Sequence, residues 1–310
     1  MDGSLLAEIK LFDSQNRMED FCPHAIFISI VIMPKILLME GILMGTDQAR
    51  HDVWASGDSY EQYVGRWSRL VAKEFIRWLA IPADRQWLDV GCGTGALSQT
   101  ILNLANPKRI KGVDRSAQFI ETARERVDRP NVEFTTGDAQ ELPVDSETYD
   151  VAVSGLVLNF VPQPERMAAE MVRVVRKNGT VALYVWDYAS KMQFMRHFWN
   201  AAAALDPAAF ELDEGRRFPL CSPGALANLF QGVGIRHVET RPIDIHTDFK
   251  NFDDFWSPIL GGQGSAPGYA MSLSEESRER LKERLYNSLP FAVDGSIPMI
   301  ARGWAVKGMK

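Results

Sequence analysis

The sequence predicts an α/β fold, a mostly parallel sheet covered by helices on both faces, and three observations predict it. Short β-rich runs alternate with runs of helical spacing between Gln86 and Trp186, which is the pattern of βαβ units. A glycine cluster, GCGTG at 91–95, stands directly behind the first of those runs, where a strand hands over to a helix. Acidic residues, Asp114 and Asp138, follow the second and third runs, at the strand ends where ligands of open α/β sheets gather.

An amphipathic helix comes first. In DSYEQYVGRWSRLVAKEFIRWLAIP, the residues Tyr63, Leu70, Val71, Phe75 and Leu79 recur at three- and four-residue steps, and Pro82 is expected to end the helix. WLDV then predicts a strand, followed by a helix from about Gly95 to Leu104. RIKGVD predicts the second strand, with a helix from about Ser116 to Val127 that Ser116 caps. VEFTT is the third strand and YDVAVSG the fourth, followed by a helix from about Gln163 to Val175 and by TVALYVW, the fifth.

Beyond Trp186 the pattern predicts helices near Lys191 to Ala204 and Pro223 to Phe230, a strand near Arg236 to Ile245, and a last strand in IPMIARGWAVKG. Residues 248–290 read as a lid-like insertion before that last strand. Its second half is helical, with Leu281, Leu285 and Leu289 on every fourth residue. In its first half Phe255, Trp256, Gly261, Gly262 and Gly264 suggest a flexible aromatic lid. Asp253 and Asp254 read as a helix start in preference to a metal pair.

At 310 residues, with a net charge of −6, the chain lacks the broad basic field that phosphate-backbone binding needs. Nucleic acid is not an expected partner. Three widely spaced cysteines, Cys22, Cys92 and Cys221, suggest neither a disulfide framework nor a zinc site, so a reducing cytoplasm is expected and no metal. Residues 45–310 are expected to form the main domain. The extension 1–44 is expected to be disordered or a non-native start, with Met44 as the initiator; its apolar run, Ala25 to Met33, is too short to span a bilayer and lacks a basic leader.

Glycine at 91, 93 and 95 lets a ligand approach the main chain without interference from Cβ, whereas a plain turn needs only one such residue. Two nucleotide cofactors compete for that loop. Gly91, Gly93 and Ala96 satisfy the permissive G-x-G-x-x-G/A form, with Asp114 about 20 residues on, which is a nicotinamide fingerprint. Against it stand Asp89 two residues before the first glycine, the third glycine at Gly95, and the acidic turn TGDAQELP after the third strand.

LDVGCGTG, GVDRSAQFI, GDAQELPVDSETYDVAVSG and RVVRKNGTVALYVW, in this order over Tyr60 to Trp186, resemble the class I S-adenosylmethionine-dependent methyltransferases, in the small-molecule branch that includes ubiquinone- and menaquinone-biosynthesis enzymes. The resemblance implies a Rossmann-like seven-stranded sheet whose last strand runs antiparallel, with S-adenosylmethionine at the C-terminal ends of the first strands. It implies that Gly91, Gly93 and Gly95 line the methionine moiety and that Asp89 holds their loop. Asp114 would take the ribose hydroxyls, with Arg115 beside the adenine. Asp138 would accept from the adenine amino group, and the Ala139 amide would face a ring nitrogen. Ser154 and Gly155 would offer carbonyls to the methionyl ammonium, and Tyr63 would close over the cofactor.

The function expected from the resemblance is methyl transfer to a small-molecule acceptor by in-line displacement. No residue in the sequence identifies the acceptor or a catalytic base; Asp187, Tyr188, His197, Phe198 and Trp199 are candidates by position alone. Alternatives are a non-catalytic S-adenosylmethionine-binding module, a nucleic-acid or protein methyltransferase, and a nicotinamide-dependent oxidoreductase. The oxidoreductase lacks a Tyr-x-x-x-Lys relay. A base-methylating enzyme would show an N-P-P-aromatic motif where this chain has SGLVLNFVP.

Overall fold

Seven strands form one sheet in the order β3-β2-β1-β4-β5-β7-β6 in a computed structural model of the chain, which describes residues 65–261 and 264–310. All of these fall within one compact unit, His51–Lys310. The expectations for residues 1–44 and for Tyr63 lie outside the described residues.

The strands are β1 (Gln86–Val90), β2 (Arg109–Asp114), β3 (Val132–Thr136), β4 (Tyr149–Gly155), β5 (Val175–Trp186), β6 (Arg236–His246) and β7 (Ile300–Met309). The first five pair in parallel. β7 inserts between β5 and β6, antiparallel to both. That arrangement agrees with the fold the sequence predicts, including the reversed last strand.

β1 is buried from Trp87 through Val90. A strand buried along both its faces in this way is stable only when both faces of the sheet are covered. One face carries the main core; on the other, Cys92, Ile120, Ala123, Val127 and Phe134 form a second cluster. The helices that supply the cover are α1 (Arg66–Leu79), α2 (Ala96–Ala105), α3 (Ala117–Arg126), α4 (Pro164–Val174), α5 (Gln193–Leu205) and α7 (Pro223–Gly232), with a single turn α6 (Glu214–Arg217) before the last. Ser116 caps α3, its hydroxyl accepting from the Phe119 amide at 3.3 Å.

Two local expectations change. Helix α1 stops at Ala80, whose left-handed φ of 50° ends the helix two residues before Pro82. Leu70 is not on the core stripe but 44% exposed; the buried face runs through Trp67, Val71, Phe75 and Trp78, and Leu70 is turned about 100° from Val71.

The insertion before β7 is helical, with α8 (Phe252–Trp256), α9 (Ser265–Ser272) and α10 (Glu275–Ser288). Its aromatics do not form an open flap. Phe255 is fully buried, 5.0 Å from Phe194 and 5.1 Å from Phe249 between ring centroids, and Trp256 is buried beside it. Leu281, Leu285 and Leu289 are buried as their spacing predicts. Asp253 and Asp254 lie in the first turn of α8, and Asp254 holds Arg66 at 2.8 Å, which agrees with the helix-start reading of this acidic pair.

Candidate functional site

The loop 91–95 joins β1 to α2, and all three of its glycines have left-handed φ: 72° at Gly91, 52° at Gly93 and 86° at Gly95. Only glycine adopts that region without strain. Their surroundings differ. A Cβ on Gly91 would stand 2.5 Å from Val157, and one on Gly95 3.0 Å from Val127, whereas one on Gly93 would meet nothing within 4 Å. Gly93 therefore faces open space, and its neighbours face packed protein.

The loop amides settle what that space could accommodate. Gly91 and Cys92 both donate to the Val113 carbonyl, at 2.7 and 3.1 Å, and Gly95 donates to Cys92. The Gly93 amide donates to Asp114 Oδ2 at 2.9 Å, while Ser116 N–H reaches Asp114 Oδ1 at 2.9 Å. Four donors that a pyrophosphate would require are thus taken inside the protein. What remains beside the loop is acidic, which favours a cation such as a sulfonium or an ammonium over a phosphate.

Asp89 stands behind the loop, on β1. It is fully buried on β1, accepts from the Ser98 hydroxyl of α2 at 2.7 Å, and has its other oxygen buried without a partner. Burial pushes its carboxyl up to about 7, the Asp114 charge adding to the rise while Ser98 opposes it. Cys92 is buried, with its thiol pushed well up by burial and by the two neighbouring acids.

The other predicted residues line up along the same edge. Arg115 is exposed just after β2, and its charge acts on Asp138. Asp138 is exposed after β3. Its carboxyl lies below the ordinary range chiefly because the Gln140 amide donates to it at 2.8 Å. Ala139 is half-buried beside it. At the end of β4, Ser154 is buried and its hydroxyl donates to the Val90 carbonyl at 2.7 Å, which ties β4 to the start of the glycine loop. A Cβ on Gly155 would stand 2.5 Å from the Tyr184 hydroxyl oxygen, so β4 and β5 close here only around glycine.

The candidates placed by position alone divide. Tyr188 follows β5 and packs 5.5 Å from Phe218. Asp187 is buried and accepts from the Ser190 amide at 3.1 Å, as a turn residue does. Phe198 and Trp199 are core residues. His197 is half-buried, and burial lowers its pKa.

Three features escaped the sequence reading. Glu214 is buried, accepts from the Trp199 indole, and is pushed up to about 7 by burial. Arg196 pairs with buried Asp213 next to it. Asn159, in the turn after β4, has both carboxamide atoms buried without partners. A surface cleft of about 470 Å³, lined by Gln86, Arg109 and Glu133 among others, opens at the N-terminal ends of β1–β3, the edge opposite to the glycine loop.

Residues 88–183 match a family described as "Methyltransferase domain". Among curated proteins, the chain is 38% identical over 100 residues to phosphatidylethanolamine N-methyltransferase of Cereibacter sphaeroides, covering 31% of this chain and 48% of that one. It is 34% identical over 100 residues to a phthiotriol/phenolphthiotriol dimycocerosates methyltransferase of Mycobacterium leprae, covering 32% and 37%. The match thus spans between a third and a half of those relatives.

Among solved structures, a phosphoethanolamine N-methyltransferase 2 of Haemonchus contortus, crystallised with phosphomonomethylethanolamine and S-adenosylhomocysteine, shares 15% identity at a TM-score of 0.51, over 81% of this chain and 56% of that one. The YcgJ protein of Bacillus subtilis shares 15% at 0.51, over 78% of this chain and 98% of that one. The matched segment runs from β1 into β5 and contains the glycine loop, Asp114, Asp138 and the end of β4, so this part of the chain is similar to a methyltransferase domain.

Proposed function

We propose that the protein transfers a methyl group from S-adenosylmethionine to a small-molecule acceptor in the cytoplasm, by in-line displacement. The observation that carries this reading is the glycine loop: its amides turn inward, its middle glycine faces open space, and two carboxylates stand beside it. The relatives' names support the acceptor class, since they point to lipids, a hydroquinone and phosphoethanolamine. Cys92 and Cys221 are free thiols, which suits a reducing compartment.

S-adenosylmethionine bound at this site supplies an already activated methyl on its sulfonium. The protein's own part is to bind and align. Gly93 gives the methionine portion close access to the main chain, and Gly91 and Gly95 form the tight turn that presents it. Asp114 has two oxygens with lone pairs beyond those directed to Gly93 and Ser116, enough to accept from ribose hydroxyls. Asp138 and the Ala139 amide recognise the adenine, Arg115 flanks it, and the carbonyls of Ser154 and Gly155 receive the ammonium. Tyr63 covers the site in this reading.

Alignment at roughly 3–3.5 Å can contribute about 7–11 kcal/mol. A general base adds about 10²–10⁴-fold, at most about 5 kcal/mol, and is needed only when the acceptor must lose a proton early. Alignment is the larger effect.

Calorimetry tests the proposal. S-adenosylmethionine and S-adenosylhomocysteine are expected to bind at micromolar concentration, and a labelled methyl to appear on a member of a metabolite panel. Saturable binding of a nicotinamide cofactor, with no heat from either adenosyl ligand, overturns it. Binding without transfer across the panel favours a non-catalytic module.

A further inference from the structure

Asn159 has no role in the reading above. It lies in the 3-10 turn Leu158–Phe160 directly after β4, and both Nδ2 and Oδ1 of its carboxamide are buried without a hydrogen-bond partner. A carboxamide carries two donors and two acceptor lone pairs, and a buried one left unpaired is penalised. Turn asparagines ordinarily bond to neighbouring main chain. This one does not, and a leucine of similar size would fill the same space without the penalty. Folding alone leaves the residue unexplained.

Its neighbours fix where it sits. Val157, two residues earlier, is the side chain that a Cβ on Gly91 would strike at 2.5 Å, so the turn abuts the glycine loop. Phe160, the next residue, meets Phe218 edge-on at 5.4 Å, and Phe218 lies 5.5 Å from Tyr188 at the end of β5. The turn that carries Asn159 therefore runs from the glycine loop to an aromatic group beyond β5. The chain enters the turn through Leu156, a bulky residue at a left-handed φ of 62°, fixed by its amide to the Tyr184 carbonyl at 2.8 Å. Such strain is retained where the surrounding structure requires it.

We propose that the Asn159 carboxamide binds the methyl acceptor, and that the bound acceptor is uncharged there, carrying a hydroxyl or amide group on an apolar body. This rests on the methyltransferase reading. The carboxamide supplies a neutral donor and a neutral acceptor to one polar group. Phe160, 37% exposed, supplies apolar surface beside it. Asp114, on the same edge, opposes an anion.

The test uses protein saturated with S-adenosylhomocysteine, titrated with phenol, benzamide and toluene and followed by ligand-observed NMR. Phenol and benzamide are expected to bind at least tenfold more tightly than toluene. Asn159→Leu is expected to bind all three alike, with an unchanged affinity for S-adenosylhomocysteine and no loss in melting temperature. Asn159→Asp, which keeps an acceptor oxygen, is expected to retain the preference for phenol. If Asn159→Leu fails to fold, Asn159→Ala is read in the same way. A preference that survives either apolar substitution, or no preference in the unaltered protein, overturns the assignment. Failure of the unaltered protein to bind S-adenosylhomocysteine at all removes the functional reading itself, and the assignment with it.

Discussion

Asp114 Oδ2 accepts from the Gly93 amide at 2.9 Å, so the carboxylate at the end of β2 also fixes the middle of the glycine loop. In the proposed reading, removing it costs the ligand a direct partner, and it also takes away the acceptor of the Gly93 amide. Charged hydrogen bonds are worth about 1.5–3 kcal/mol, and each 1.4 kcal/mol is about tenfold in affinity. Asp114→Ala is expected to weaken S-adenosylhomocysteine about ten- to a hundredfold by calorimetry; an unchanged affinity would contradict its place in the site.

Gly91 and Gly93 share a left-handed φ but differ in what surrounds them. An alanine at either position carries about 1–2 kcal/mol of backbone strain. Only at Gly91 does the new methyl also collide with Val157. Gly91→Ala is therefore expected to lower the melting temperature more than Gly93→Ala, while Gly93→Ala is expected to abolish ligand binding in a protein that still folds. Scanning calorimetry and titration calorimetry on the two variants check the crossover.

Asp89 gives a pH signature with a defined sign. Its carboxyl rises from 3.8 to about 7 on folding, so between those values the folded state holds a proton that the unfolded chain has released. Stability then falls as pH rises from about 4 to about 7 and is level above, by at most about 4 kcal/mol at 1.36 kcal/mol per unit. Asp89→Asn cannot titrate. The difference in urea stability between the original protein and this variant is expected to shift in the variant's favour across that window; a constant difference would refute the assignment.

Trp199 donates its indole N–H to buried Glu214. Trp199→Phe leaves the carboxyl without that donor, and a loss of about 1–3 kcal/mol in urea denaturation is expected. Adding Glu214→Gln is not expected to restore it, because an amide there still needs a partner. Adding Glu214→Leu is expected to recover part of it.

Strand positions were legible because short β-rich runs alternate with runs of helical spacing, and WLDV, RIKGVD, VEFTT and YDVAVSG all fall inside the observed strands. The acids and glycines of the loop were legible because left-handed backbone and strand-end carboxylates leave few alternatives in residue type. Other features left no such mark. Leu70 and Val71 are adjacent apolar residues that spacing cannot rank. Phe255 and Trp256 sit in a glycine-rich stretch, yet their rings join the Phe194 and Phe249 cluster contributed by distant segments. The turn 207–212 and α6 carry mixed composition with no period. Whether Asn159 finds a hydrogen-bond partner depends on neighbours far along the chain, and no local pattern encodes it.

The place of β7 constrains how the polypeptide acquires its form during synthesis. Among the described residues β6 pairs with no strand but β7, and β7 comes after it in chain order. Until residues 300–309 emerge from the ribosome, β6 is an orphan ribbon and the outer margin of β5 is an open template for aggregation. Pulse-labelled exchange is expected to show β6 and β7 acquiring protection together, after the parallel half, with nascent chains halted before Ile300 relying on chaperones.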